Sequence, residues 1–203
     1  MQKRKMIVAQ NGFLLVFMNP PPAFEEEFNA WYDTEHIPER LAVPGFLTGL
    51  RYINVSSGAP RFVAMYDLTH FGVLESPEYL RVAYDNSSPW TKRVTARARV
   101  QRFAGHQIAS GDAVTGSAAR IGIIRFRNLA EAQIADVSAG LAATYTSRAE
   151  VVRYRVLVDP SPGEGVDVIG FIEARAPLCM DFDPNAFGRA KDSVDLVTSY
   201  TPF

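Results

Sequence analysis

The sequence is poor in cysteine, in long apolar runs and in charge of either sign, and each shortage excludes something. Cys179 is the only cysteine, so no internal disulfide can form and metal sites rich in thiolate are ruled out; a reducing, cytoplasmic setting is the expectation. Lys3, Arg4 and Lys5 precede an apolar run at 13–18 that superficially resembles a secretory signal. That run has six residues and ends at Asn19-Pro20-Pro21-Pro22. A signal core needs about 7 to 15 residues and a membrane span about 20, so the run reads as a buried strand and no membrane partner is expected. Formal net charge is -1, with both signs mixed along the chain, so no field gathers nucleic acid or anionic lipid. No nucleophile elbow, phosphate loop or dinucleotide fingerprint occurs, which leaves hydrolase, nucleotide-dependent and Rossmann-type activities without support. The three histidines, His36, His70 and His106, lack neighbours at metal-ligand spacing, so neither a metal nor a cofactor is expected.

What is present is a core and a repeated order of elements. The 203 residues are 47% hydrophobic, enough for a self-sufficient interior. Residues 12–19 form an apolar run bounded by glycine and proline, the pattern of a strand covered on both faces. Phe24, Phe28, Trp31, Tyr32 and Glu35 recur at spacings of three and four behind Glu25, Glu26 and Glu27, which suit a helix N-terminus. This predicts a helix over about 23–37, ended by Pro38. Residues 46–55 and 61–69 read as a hairpin about the turn at 56–60. Ser76-Pro77 and Ser88-Pro89 each place a capping hydroxyl before a proline at the first helical position. Residues 97–109 close this half as a fourth strand.

After a small-residue linker at 110–118, the order repeats: strand 119–127, helix 131–143, strands 150–158 and 166–175, a short helix near 185–191, and strand 194–201. The period is about 105 residues, inferred from element order and not from residue identity. The expected fold is α+β, two tandem ferredoxin-like (βαββαβ) halves at 1–110 and 119–203 packing sheet to sheet. Strands apolar on both faces require that packing, because one open sheet leaves a face uncovered. A homodimer remains an alternative way to cover it.

The helix and its exit read Trp31-Tyr32-Asp33-Thr34-Glu35-His36-Ile37-Pro38-Glu39-Arg40, followed by Val43-Pro44-Gly45-Phe46. The string Trp-Tyr-x-x-Glu-His-Ile-Pro-x-Arg, then Val-Pro-Gly-Phe, is similar to the helix-1 signature of EthD-like proteins of the dimeric α/β-barrel superfamily. The motif match spans about 28–46, with weaker echoes at Ser88-Pro89-Trp90-Thr91. The resemblance implies a cavity between two sheets. In the wider superfamily such a cavity hosts cofactor-free oxygenation, isomerisation, cyclisation or decarboxylation, and in some branches haem chemistry.

Read physically, His36 lies at the edge of the buried helical stripe, where it can face a cavity rim and exchange a proton near neutral pH. Glu35 falls nearer the stripe's centre, where an ionised carboxylate needs a partner such as Arg40 or Arg51, or holds its proton. His36, Glu35 and Tyr32 are therefore the candidate catalytic residues. Trp31, Trp90, Arg51 and His106 are the candidate substrate-binding residues, His106 as one that can point into the barrel. The plain alternatives are that His36 satisfies terminal carbonyls, Glu35 anchors the turn, and the aromatic residues are core. The second half has nothing equivalent to Glu35-His36-Ile37-Pro38 and reads as a structural partner. The expected function is a cofactor-independent lyase, isomerase or monooxygenase acting on a small aromatic or polyketide-like carbonyl compound by His-assisted proton transfer. A non-catalytic protein binding a small aromatic or apolar molecule is the rival class.

Overall fold

The structure, a computed structural model, describes residues 10–54, 58–160 and 163–203. The basic start at 1–6 and part of the turn at 56–60 lie outside the described residues. The fold is mixed α+β and centres on eight strands: β1 Gly12–Asn19, β2 Leu50–Ile53, β3 Phe62–Leu68, β4 Arg99–Ala109, β5 Arg120–Leu129, β6 Val151–Asp159, β7 Val166–Ala174 and β8 Val194–Pro202. They close into one barrel in the order β1-β3-β2-β8-β5-β7-β6-β4, with every neighbouring pair antiparallel.

The two sheets pack face to face over one core, as expected, and closure joins their edges as well. The sheets meet edge to edge at two seams, β2 on β8 through Tyr52↔Pro202 and β4 on β6 through His106↔Val158. Pairing these edges satisfies backbone groups that would otherwise be exposed templates for aggregation. Gly105 permits the second seam, because a Cβ there would lie 2.0 Å from the Val158 carbonyl oxygen. The interior is a shared core in which Phe13, Leu15, Phe17, Met65, Phe103, Ile121, Ile123, Leu157, Ile169 and Phe171 fill the space between the sheets. The cavity expected there is therefore occupied by side chains.

A buried ionic clasp ties the halves. Arg155 Nη1 on β6 donates to Asp67 Oδ1 on β3 at 2.6 Å, and Nη2 to Thr115 Oγ1 of the linker at 2.5 Å. Thr48 Oγ1 and the Thr115 backbone N–H donate to Asp67 Oδ2. Burial alone would raise the Asp67 carboxyl, but Arg155 and these hydrogen bonds outweigh it and hold it below its usual value.

Helices lie outside the barrel: α1 Glu25–Trp31, α2 Ile37–Leu41, α3 Pro77–Leu80, α4 Pro89–Thr95 and α5 Ile134–Tyr145. Ser76 and Ser88 cap α3 and α4 as their sequence predicts, accepting from the Tyr79 and Thr91 backbone N–H groups. Pro38 does not end the first helix. A five-residue π turn, Tyr32–His36, joins α1 to α2, and the Ile37 N–H reaches back to the Tyr32 carbonyl. This wider turn takes the proline ring without breaking the chain direction, and such turns are frequent at functional sites. The strand expected over 46–55 shortens to β2, because Gly45 (φ +98°) and its turn extend further into the segment. The segment near 185–191 is 3-10 in character across Pro184–Ser193, kinked at Gly188.

Candidate functional site

The π turn brings the predicted residues of helix 1 into one aromatic nest. Trp31 is fully buried and donates Nε1–H to Thr91 Oγ1 at 2.9 Å. The His36 ring lies tilted against Trp31 at 4.2 Å between centroids and meets Tyr32 edge-on at 5.3 Å. Tyr32 is buried, and its hydroxyl donates to Met18 Sδ at 3.3 Å. Burial raises that hydroxyl to about 12 against the pull of the Arg51 guanidinium, so it stays protonated at neutral pH.

His36 is part-buried, and its Nδ1 is enclosed without a hydrogen-bond partner. Burial, and secondarily the Arg40 charge, push its pKa down to about 3. At neutral pH this leaves the imidazole neutral. Glu35 is not paired with Arg40 or Arg51, contrary to expectation. Its Oε1 accepts from Ser88 Oγ at 2.5 Å and Thr91 Oγ1 at 3.2 Å, which ties the π turn to the start of α4. Arg40 instead donates to the Val82 carbonyl at 3.0 Å and lies over the Tyr79 ring.

Arg51 on β2 faces the helix layer from the other side of Tyr32. Its Nη1 donates to Asp33 Oδ1 at 2.6 Å and its Nη2 to Asn29 Oδ1 at 2.5 Å. The guanidinium lies between the rings of Phe203 at 4.3 Å and Tyr32 at 4.5 Å. Beside it opens a cavity of about 290 Å³, lined chiefly by Asp33, Ile37, Leu50, Arg51, Ala118 and Phe203. Arg51, Tyr32, His36 and Trp31 are therefore consecutive contacts, with Arg51 at the cavity and His36 behind Tyr32.

Two predicted residues lie elsewhere. Trp90 packs at the margin of the helix-side core. His106 points out of the barrel, since strand alternation turns Phe103 inward; its ring meets Phe71 edge-on at 5.1 Å. Asp33, Asn29 and Phe203 were missed by sequence reasoning. Asn29 and Asp33 stand four apart, a spacing that shares a helix face, but only the folded chain brings Phe203 to them.

Among the described residues no three or more His, Cys, Asp or Glu side chains converge as a metal site. The second half contains no histidine. Its helix-to-sheet space is filled by Phe126, Leu141 and Phe187. No helix among the described residues is long and apolar enough to cross a membrane.

The closed antiparallel barrel with outer helices is a fold found in other solved structures. No family model matches the chain, and no curated protein matches it in sequence. Solved structures do match in fold. An anthrone oxidase-like protein superposes with a TM-score of 0.68 at 13% identity, covering 96% of this chain and 91% of its own. A proposed monooxygenase from Lactobacillus acidophilus NCFM gives 0.55 at 10% identity, covering 96% and 93%. A chlorite dismutase from Candidatus Nitrospira defluvii gives 0.57 at 11% identity, covering 100% and 95%.

Proposed function

We propose that this protein is a cofactor-independent enzyme of monooxygenase, lyase or isomerase type, acting on a small aromatic or polyketide-like carbonyl compound. In this reading it is an EthD-like chain of two ferredoxin-like halves, 1–110 carrying the site and 119–203 supporting it, and any homodimer adds to a barrel already closed within one chain. The observation that carries the reading is the part-exposed His36, whose buried Nδ1 lacks a partner while Trp31, Tyr32 and Glu35 each have one.

A neutral imidazole held at low pKa takes a proton only when negative charge develops beside it. Abstraction of a proton from a carbon next to a carbonyl breaks the C–H bond and sends its electron pair to the carbonyl oxygen. The resulting enolate stabilises the imidazolium it faces, and Arg40 adds a fixed positive charge nearby. Lyase, isomerase and oxygenase outcomes share this first step. The test is product analysis of wild-type and His36→Gln protein on phenols, lactones and aromatic ketones at pH 7. The variant is expected to lose on the order of 100- to 10,000-fold in turnover while keeping its melting temperature. Undiminished turnover in the folded variant removes His36 as the base.

A second reading, a non-catalytic small-molecule binder, is favoured by one observation: the cavity opens at Arg51, and His36 does not line it. It predicts binding without conversion in either protein.

A further inference from the structure

Among the described residues, Arg51 is the one guanidinium lining the cavity beside helix 1, and its present partners are unequal. The Arg51 side chain is only 4% exposed, whereas that of Asp33 is 56% exposed at the cavity rim. A desolvated guanidinium strongly favours a bidentate carboxylate, with two oxygens on its two outer nitrogens. Here those nitrogens are met by single oxygens from two separate residues, Asp33 Oδ1 and Asn29 Oδ1. Around them the wall is apolar, from Ile37, Leu50, Ala118, Pro202 and Phe203. The volume of about 290 Å³ stands at the lower bound of small-molecule sites, so one compact molecule fills it.

We infer that this cavity is a carboxylate subsite for a small ring-bearing acid, in which the Asp33 side chain occupies the place of the ligand's carboxylate until a ligand displaces it. The acid's two oxygens take Arg51 Nη1 and Nη2, and its ring lies on the apolar wall beside Phe203. Asp33 swings to solvent at little expense, because an ion pair with one exposed partner contributes weakly. Arg51 itself stays fixed between Phe203 and Tyr32. The inference rests on the small-molecule reading above and adds the charge of the ligand to it.

Benzoate and its neutral counterpart benzamide separate charge from shape. Calorimetric titration at pH 7 is expected to show benzoate binding to the wild-type protein and benzamide binding at least about tenfold more weakly, the discrimination a charge-assisted bidentate pair supplies. Asp33→Asn, a change at an exposed side chain, is expected to tighten benzoate by up to about fivefold by removing the competing carboxylate. Arg51→Gln is expected to abolish benzoate binding, with circular dichroism reporting its fold. Should that variant unfold, Asp33→Asn and amide shift perturbations at Gly116 and Ala118 decide the matter. Equal binding of benzamide, no gain in Asp33→Asn, or no benzoate binding to the wild type overturns the subsite. None of these outcomes touches His36-dependent turnover of uncharged substrates, which tests the catalytic reading separately.

Discussion

The two helix-and-sheet layers outside the barrel rest on matching strand orders, β4-β1-β3-β2 and β8-β5-β7-β6, yet they are filled by opposite chemistry. The second layer is sealed mostly with apolar groups, Tyr145 being its fully buried ring with a polar tip. Val137 and Leu141 of α5 press on Ile124, Phe126, Val168 and Ile172. Gly140 lets Phe187 approach so closely that an added Cβ would sit 2.4 Å from its ring. The first layer holds Trp31, Tyr32, Tyr66 and Tyr79, large rings with polar tips, and a π turn that presents Glu35 and His36. Close packing of small and branched residues leaves no room for a ligand, whereas rings with hydrogen-bonding ends leave polar atoms that must be satisfied or used. Under the proposed function, the first layer acts and the second supports it.

The comparison breaks most severely if the layers lose the clasp between them. Arg155→Met leaves the Asp67 carboxylate buried without its cation, and urea unfolding is expected to show a loss of roughly 3–5 kcal/mol. A smaller loss would mean that the strand seams and the shared core hold the halves together without the clasp. The sealed character of the second layer is sharpened by Gly140→Ala. Overpacking against Phe187 is expected to destabilise by about 1–3 kcal/mol and to leave any turnover per folded molecule unchanged. Altered turnover would show that the second layer is not merely a support.

The first layer should alone carry a pH signature above the carboxylate range. His36 has a pKa lowered from 6.5 to about 3 on folding. Above pH 6.5 both states are neutral at this residue and it contributes nothing to the pH dependence. As pH falls from about 6.5 towards 3, the unfolded chain takes up a proton that the folded chain refuses, so stability declines by up to about 1.4 kcal/mol per pH unit. The depressed Asp67 carboxyl acts below its ordinary value of 3.8, whereas burial raises Glu39 above its ordinary 4.5, so Glu39 shares the window between about pH 4 and 6.5 with His36. The difference between wild-type and His36→Gln stability, measured across that window, isolates the residue. A flat difference would mean that the imidazole is solvated in the folded state.

Much of the scaffold was legible because its causes are local. The apolar run at β1, the serine caps of α3 and α4, and the strands flanked by glycine and proline follow from two- and 3.6-residue periods and from backbone restrictions at single residues. Pro38 misled for the same reason: local chemistry predicts a stop there, and a widened turn with the Tyr32 carbonyl evades it. His106 misled because strand alternation counts inward and outward correctly only once the register is known, and that register is set by β1 and β6.

By itself the sequence determined the α+β class, the order of the elements, and the absence of an internal disulfide and of a strong charge field. Only the tertiary structure decided that the strands close into one barrel with a filled interior, that Glu35 is held by Ser88 and Thr91, that His36 is neutral, and that the cavity opens at Arg51. These are properties of desolvation and of contact between residues far apart in the chain, such as Arg51 and Phe203, which no local pattern encodes.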